Sequence, residues 1–93
     1  MLRVSGYGQD GPLALKPGHD LNYISESGIV PIINQNKGKI YEFPANFVAD
    51  FVSTSLAIIA TLSALALSKT TGFGYIVDCS LTHGSKYLAH AVK

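Results

Sequence analysis

The strongest pattern in the chain is the apolar run from Phe51 to Leu67, which carries no charged residue. It predicts a helix about 26 Å long. That is short of the roughly 30 Å hydrocarbon thickness of a bilayer. Ser53, Thr54, Ser55, Thr61 and Ser63 dilute the run, and no cluster of Lys or Arg marks either end. A helix buried in a protein core fits these features better than a membrane span, and its alanines and hydroxyls allow neighbouring backbones to come close. Lys69 in the last turn and Gly72 beyond it give the helix a stop signal.

Shorter patterns flank this run. Leu2–Ser5 reads as a strand, and Asp20–Ser27 as one or two helical turns with Leu21, Tyr23 and Ile24 available for burial. Residues Ile29–Ile33 and Lys39–Phe43 read as extended segments joined by the polar turn Asn34–Gly38, with Pro31 confining the first to an edge. Gly74–Asp78 reads as a buried strand and Ser80–Val92 as a second helix, capped by Asp78 or Ser80. The order helix, glycine, strand, helix from Phe51 onward predicts an α/β fold. Its parts are short strands, one long buried apolar helix, a strand and a C-terminal helix.

Composition sharpens one point. A chain of 93 residues holds one small domain, yet it is 47% hydrophobic and 14% charged. Globular chains carry about 25% charged residues. The imbalance predicts a partial domain, cut from a larger core or hiding a face against a partner. The net charge is +1 and the basic residues are scattered, so there is no stripe for nucleic acid or anionic lipid. Cys79 is the sole cysteine, which rules out an intrachain disulfide and favours an intracellular, reducing compartment. Arg3, Ser5, Gly6, Gly8 and Asp10 break up the first ten residues, so no secretory leader is expected there.

Four places could carry chemistry. Gly6-Tyr7-Gly8-Gln9-Asp10-Gly11 spells G-x-G-x-x-G, but Pro12 and Pro17-Gly18 leave no room for the helix that a dinucleotide site needs. A flexible turn is expected instead. His19, behind the Pro17-Gly18 turn and beside Asp20, is either a hydrogen-bonding surface residue or a general acid or base. Asp50, at the mouth of the apolar run, is either a first-turn carboxylate favoured by the helix dipole or a proton shuttle or nucleophile. His83 and His90 are seven residues apart rather than the four usual for a helical metal pair, so no metal is expected. Cys79 reads as a small buried residue and Asp78 as a structural one.

Taken together, Ser5–Pro12, Gly18-His19-Asp20-Leu21-Asn22-Tyr23-Ile24, Ala49-Asp50-Phe51 and Gly74–Asp78 resemble the α-methylacyl-CoA racemases of the CoA-transferase family III (CaiB/BaiF) superfamily. The resemblance runs along nearly the whole chain, in order and at near-family spacing. It implies an internal fragment of the family III fold, residues 1–93, without the N-terminal CoA-binding part and the C-terminal remainder. It implies that His19 and Asp50 are the acid/base residues of a 1,1-proton transfer at C2 of 2-methylacyl-CoA thioesters. Gly18, His19, Asp20, Leu21, Asn22 and Tyr23 are implied to line the acyl-CoA site. The substrate brings its own CoA, so no separate cofactor is implied. A homodimer, a place in lipid and branched-chain fatty acid metabolism, and a mitochondrial or peroxisomal location are implied as well.

The same resemblance contains departures. Val52-Ser53-Thr54-Ser55 stand where the family runs small glycines, Phe73 where it tends to have lysine, and His83 where it tends to have an acidic residue. Family transferases generally lack the histidine and keep the aspartate, so His19 favours racemase over transferase. Three alternatives stay open: CoA transfer with Asp50 as nucleophile, a truncated non-catalytic product that binds a partner through its apolar helix, and a small membrane-anchored protein.

Overall fold

The computed structural model describes the chain except for residues 36, 37, 39–41, 45, 46, 92 and 93. In chain order the elements are β1 (Leu2–Ser5), α1 (Asp20–Glu26), α2 (Ile29–Ile33), α3 (Val48–Thr71), β2 (Val77–Ser80) and α4 (Leu81–Ala91). The two strands pair in parallel, Leu2 opposite Val77 through Ser5 opposite Ser80. Parallel strands need a long crossover, and here α1, α2 and α3 supply it. The mixed α/β reading of the sequence is the architecture observed.

The boundaries of the long helix follow the sequence signals, with one extra turn at each end. Gly72 takes the left-handed conformation at φ +77°. Its N–H donates to the Ser68 carbonyl at 2.8 Å, which satisfies one of the last orphan carbonyls. Ser80 caps α4 by accepting the His83 N–H at 3.1 Å, as one of the two expected caps. Thr82 then anchors α4 to the end of β1: its N–H and its hydroxyl donate to the Gly6 carbonyl at 3.0 and 2.9 Å.

Helices α3 and α4 cross at small residues. A side chain on Gly84 would run into the Ser53 hydroxyl and come within 3.1 Å of the Ser53 Cα. Ser53 is 1% exposed. Its buried hydroxyl is satisfied by donating to the Leu81 carbonyl at 3.2 Å. Ser85 is likewise buried and donates to the same carbonyl at 2.8 Å. Polar groups therefore enter this crossing with their hydrogen bonds already made.

The core sits at one end of the molecule, where Tyr23, Ile24, Ile29, Val30, Ala49 and Ala89 pack together. It ties α1, α2, the start of α3 and α4 into one cluster. Beyond it the expectation of a long buried helix is corrected. Burial along α3 is confined to Ala49, Ser53 and Ala57, while Leu62 is 62% exposed. Two strands and three short helices do not offer enough surface to enclose a helix of 24 residues. The molecule extends 54 × 27 × 20 Å, with a radius of gyration of 15.3 Å; a compact chain of this length has about 12 Å. Leu2, Val4, Thr54, Ala57, Ile58 and Leu62 line an open apolar groove between β1 and α3. By length and composition α3 also meets the requirements of a membrane span.

Three local expectations differ from the structure. Ile29–Ile33 is the helix α2 rather than an extended segment. Gly28, at φ +91°, breaks the chain away from α1, and Pro31 falls in the first turn of α2, where its missing N–H is not needed. The Lys39–Phe43 segment lies partly outside the described residues, and Glu42 and Phe43 are not in a strand. One side chain joins Asn34 to Glu42. The Asn34 amide donates to the Glu42 carbonyl at 2.8 Å and accepts the Glu42 N–H at 2.7 Å. Finally, β2 begins at Val77 rather than Gly74 and is not fully buried: Val77 and Cys79 are half-buried and Asp78 is exposed.

The crossing of α3 and α4 can be tested directly. Gly84→Val forces a branched side chain against Ser53, and we expect it to lower stability by about 1–3 kcal/mol in urea denaturation. Gly74→Val, at a position with open space, should cost little by the same measurement.

Candidate active site

The site begins with a capping problem. Helix α3 starts at Val48, so Phe47 occupies its N-cap and has no side-chain acceptor to offer. The first N–H groups of a helix have no partner within it. One of them, the N–H of Asp50, donates to the Asp20 carboxylate at 3.1 Å. Asp20 is only 7% exposed and stands in the first turn of α1. One carboxylate thus serves the positive ends of two helices.

His19 is the N-cap of α1, with extended backbone at φ −130° and ψ −178°. Its N–H donates to the Asn22 side-chain oxygen at 2.9 Å. Its carbonyl accepts the N–H groups of Asn22 and Tyr23 at 3.0 and 3.3 Å. The backbone of His19 is therefore fixed on both sides while the residue remains exposed. Asp50 is exposed too, in the first turn of α3. Residues thirty-one positions apart in the chain are brought to neighbouring helix starts by the residue that follows one and the peptide of the other.

Tyr23 explains two of the glycines. Its ring lies against both Gly18 and Gly6. A Cβ on Gly18 would come 3.0 Å from Tyr23 Cε1, and one on Gly6 would come 2.5 Å from the phenol oxygen. Tyr7 packs edge-on against the same ring, centroids 5.1 Å apart at 72°. Burial pushes the Tyr23 phenol up from its ordinary pKa, and the nearby Tyr7 and Asp50 add to the effect. The charge of Asp50 is thus felt at the residue that anchors α1.

Of the residues expected to line an acyl-CoA site, His19, Asp20 and Leu21 border a groove completed by Ile24, Phe43 and Phe47. Asp50 does not line it. Asn22 is exposed and engaged as the reciprocal cap, and Tyr23 is turned into the core. The G-x-G-x-x-G stretch is a turn, with Gly8 and Gly11 at φ +99° and +92° and no helix after it. Cys79 is half-buried and its thiol donates to the Ser53 carbonyl at 3.5 Å. Burial, then the Asp78 charge, pushes that thiol up. Among the described residues no group of three His, Cys, Asp or Glu side chains could hold a metal ion.

The role of Asp20 as a cap in trans escaped the sequence reading. The signal available was Phe47, an N-cap without an acceptor, which leaves the first N–H groups of the helix in need of an acceptor from elsewhere in the fold.

The description of CoA-transferase family III matches residues 1–92. The chain belongs to that family. It is 40% identical over 95 residues to a CaiB/baiF CoA-transferase family protein of Caenorhabditis elegans, covering 100% of this chain and 28% of the relative. To the α-methylacyl-CoA racemase of Homo sapiens it is 34% identical over 88 residues, covering 94% of this chain and 23% of the racemase. To the succinyl-CoA–L-malate CoA-transferase beta subunit of Chloroflexus aurantiacus it is 33% identical over 81 residues, covering 87% and 20%. A crystal structure of a CaiB/BaiF family protein from Brucella suis superposes with a TM-score of 0.86 at 23% identity, over 97% of this chain and 24% of that one. The chain spans about a quarter of the length of these family III proteins.

The anchoring of Tyr23 predicts an alkaline dependence. A phenol with a raised folded-state pKa holds its proton more tightly folded than unfolded. Its contribution to stability is complete below the unfolded value of 10.0 and is lost as pH rises through the folded value. Tyr23→Phe should be less sensitive than the wild type to a rise from about pH 9 to pH 11 in denaturation curves. An unchanged pH slope would contradict this placement of the phenol.

Proposed function

We propose that the chain carries the acid/base pair of an α-methylacyl-CoA racemase. The observation that carries this reading is the bond from the Asp50 N–H to the Asp20 carboxylate, which ties the start of α3 to the helix start that His19 caps. Its other support is the Gly18–Tyr23 motif with its histidine and the 34% identity to a racemase. The substrate is a 2-methylacyl-CoA thioester. The thioester carbonyl delocalises the carbanion left when the α-proton departs, so that an enolate forms. His19 takes that proton from one face of C2, and the carboxyl form of Asp50 returns a proton to the other. From the opposite epimer the roles reverse. A fixed backbone at both residues serves this chemistry, because proton transfer to carbon depends on placing the base within reach of a single atom.

The wider setting is part of the same proposal. The substrate supplies CoA and no separate cofactor takes part; the working form is a homodimer, in a mitochondrion or peroxisome, acting in branched-chain lipid breakdown without nucleic acid or membrane as partner. A second reading is CoA transfer. There Asp50 attacks the thioester carbonyl, expels the CoA thiolate and forms an aspartyl anhydride. The exposure of Asp50 and the 33% identity to a transferase favour it, whereas it gives His19 no task.

Incubation with a 2-methylacyl-CoA in deuterium oxide separates the two. Racemisation predicts deuterium at C2 together with loss of optical purity. His19→Ala and Asp50→Asn should each slow it by about 10²–10⁴-fold. Hydroxylamine trapping of Asp50 without exchange at C2 would replace the racemase reading with the transferase one.

A further inference from the structure

We infer that Asp20 is a positioning residue, which sets the separation of His19 and Asp50 across the reacting carbon. The inference rests on the racemase reading above. Asp20 follows His19 directly, so any movement of its backbone moves the N-cap that carries the imidazole. Its carboxylate accepts the peptide N–H of Asp50 itself, not that of a neighbour. Asp20 is 7% exposed, which leaves little of it to touch a substrate and keeps water from taking over the bond. No other hydrogen bond described between α1 and α3 joins the two starts. Around it, Tyr23 locks α1 against Gly6 and Gly18, and Ala49, fully buried, locks the first turn of α3. Both bases therefore sit on rigid supports, and Asp20 is the strut between them. A shift of about 1 Å between a base and a reacting atom can cost on the order of 100-fold in rate.

Two variants of the whole protein test this. Asp20→Ala removes the acceptor, whereas Asp20→Asn keeps an oxygen in reach of the Asp50 N–H. For Asp20→Ala we expect kcat for exchange at C2 to fall about 10–100-fold with KM nearly unchanged. Hydrogen exchange at the Asp50 amide should accelerate several-fold, and Asp20→Asn should restore most of both. A residue that served stability alone would lower Tm and leave the kcat of the folded protein at the wild-type value. That result, or an Asp50 amide as protected as in the wild type, overturns the inference. If the wild type exchanges no proton at C2, the racemase reading fails by itself. Positioning is then decided by NMR: displaced His19 ring signals together with a deprotected Asp50 amide in Asp20→Ala support it, and wild-type spectra at both overturn it.

Discussion

The N-cap position of helix α3 holds a phenylalanine, which has no acceptor to offer, and the N–H of Asp50 finds its acceptor on a different helix, in the buried carboxylate of Asp20. Much of the fold follows from that one bond. A carboxylate is stable in so buried a place only with hydrogen-bond donors and positive helix ends around it, and the starts of α1 and α3 supply both. The bond in turn brings Ala49 into the core beside Tyr23 and Ile24. Once α3 is fixed there, its Ser53 meets Gly84 and carries α4 into place, and α4 closes onto β1 through Thr82. Sheet, helices and site are one mechanical unit.

The elements whose cause is local were legible in the sequence. The uncharged run, Lys69 and Gly72 mark α3 and its end; Ser80 marks the start of α4; the prolines after Gly11 mark a turn in place of a nucleotide site. What was not legible depends on partners far along the chain. Ile29–Ile33 has the composition of a strand, yet Gly28 and the position of Pro31 suit a first helical turn, and packing against Tyr23 and Ile24 favours that choice. Asn34 looked like one residue of a polar turn. Its buried amide instead replaces a strand ladder, a role that appears only when Glu42 lies beside it. At the candidate site the residue types were visible, but the bond that joins the two helix starts was not. Asp20 borders the groove and also links the two helix starts, and that link was not legible.

The long helix illustrates the opposite limit. Composition implied burial, and the chain itself buries only one narrow stripe of it. Its exposed leucines and isoleucines, with Leu2 and Val4 on the neighbouring strand, leave a wide apolar face. Parallel sheets are ordinarily covered on both faces, and here that cover is lacking on the side of the groove. The same segment of about a quarter of a family III structure superposes closely.

The central claim is that His19 and Asp50 divide the work, each serving one face of C2. Each epimer of a 2-methylacyl-CoA, offered separately to His19→Ala in deuterium oxide, tests this directly. The account predicts that one epimer still exchanges its α-proton with retention, through Asp50, while the other does not exchange. Equal loss with both epimers, or racemisation that survives the substitution, would contradict it.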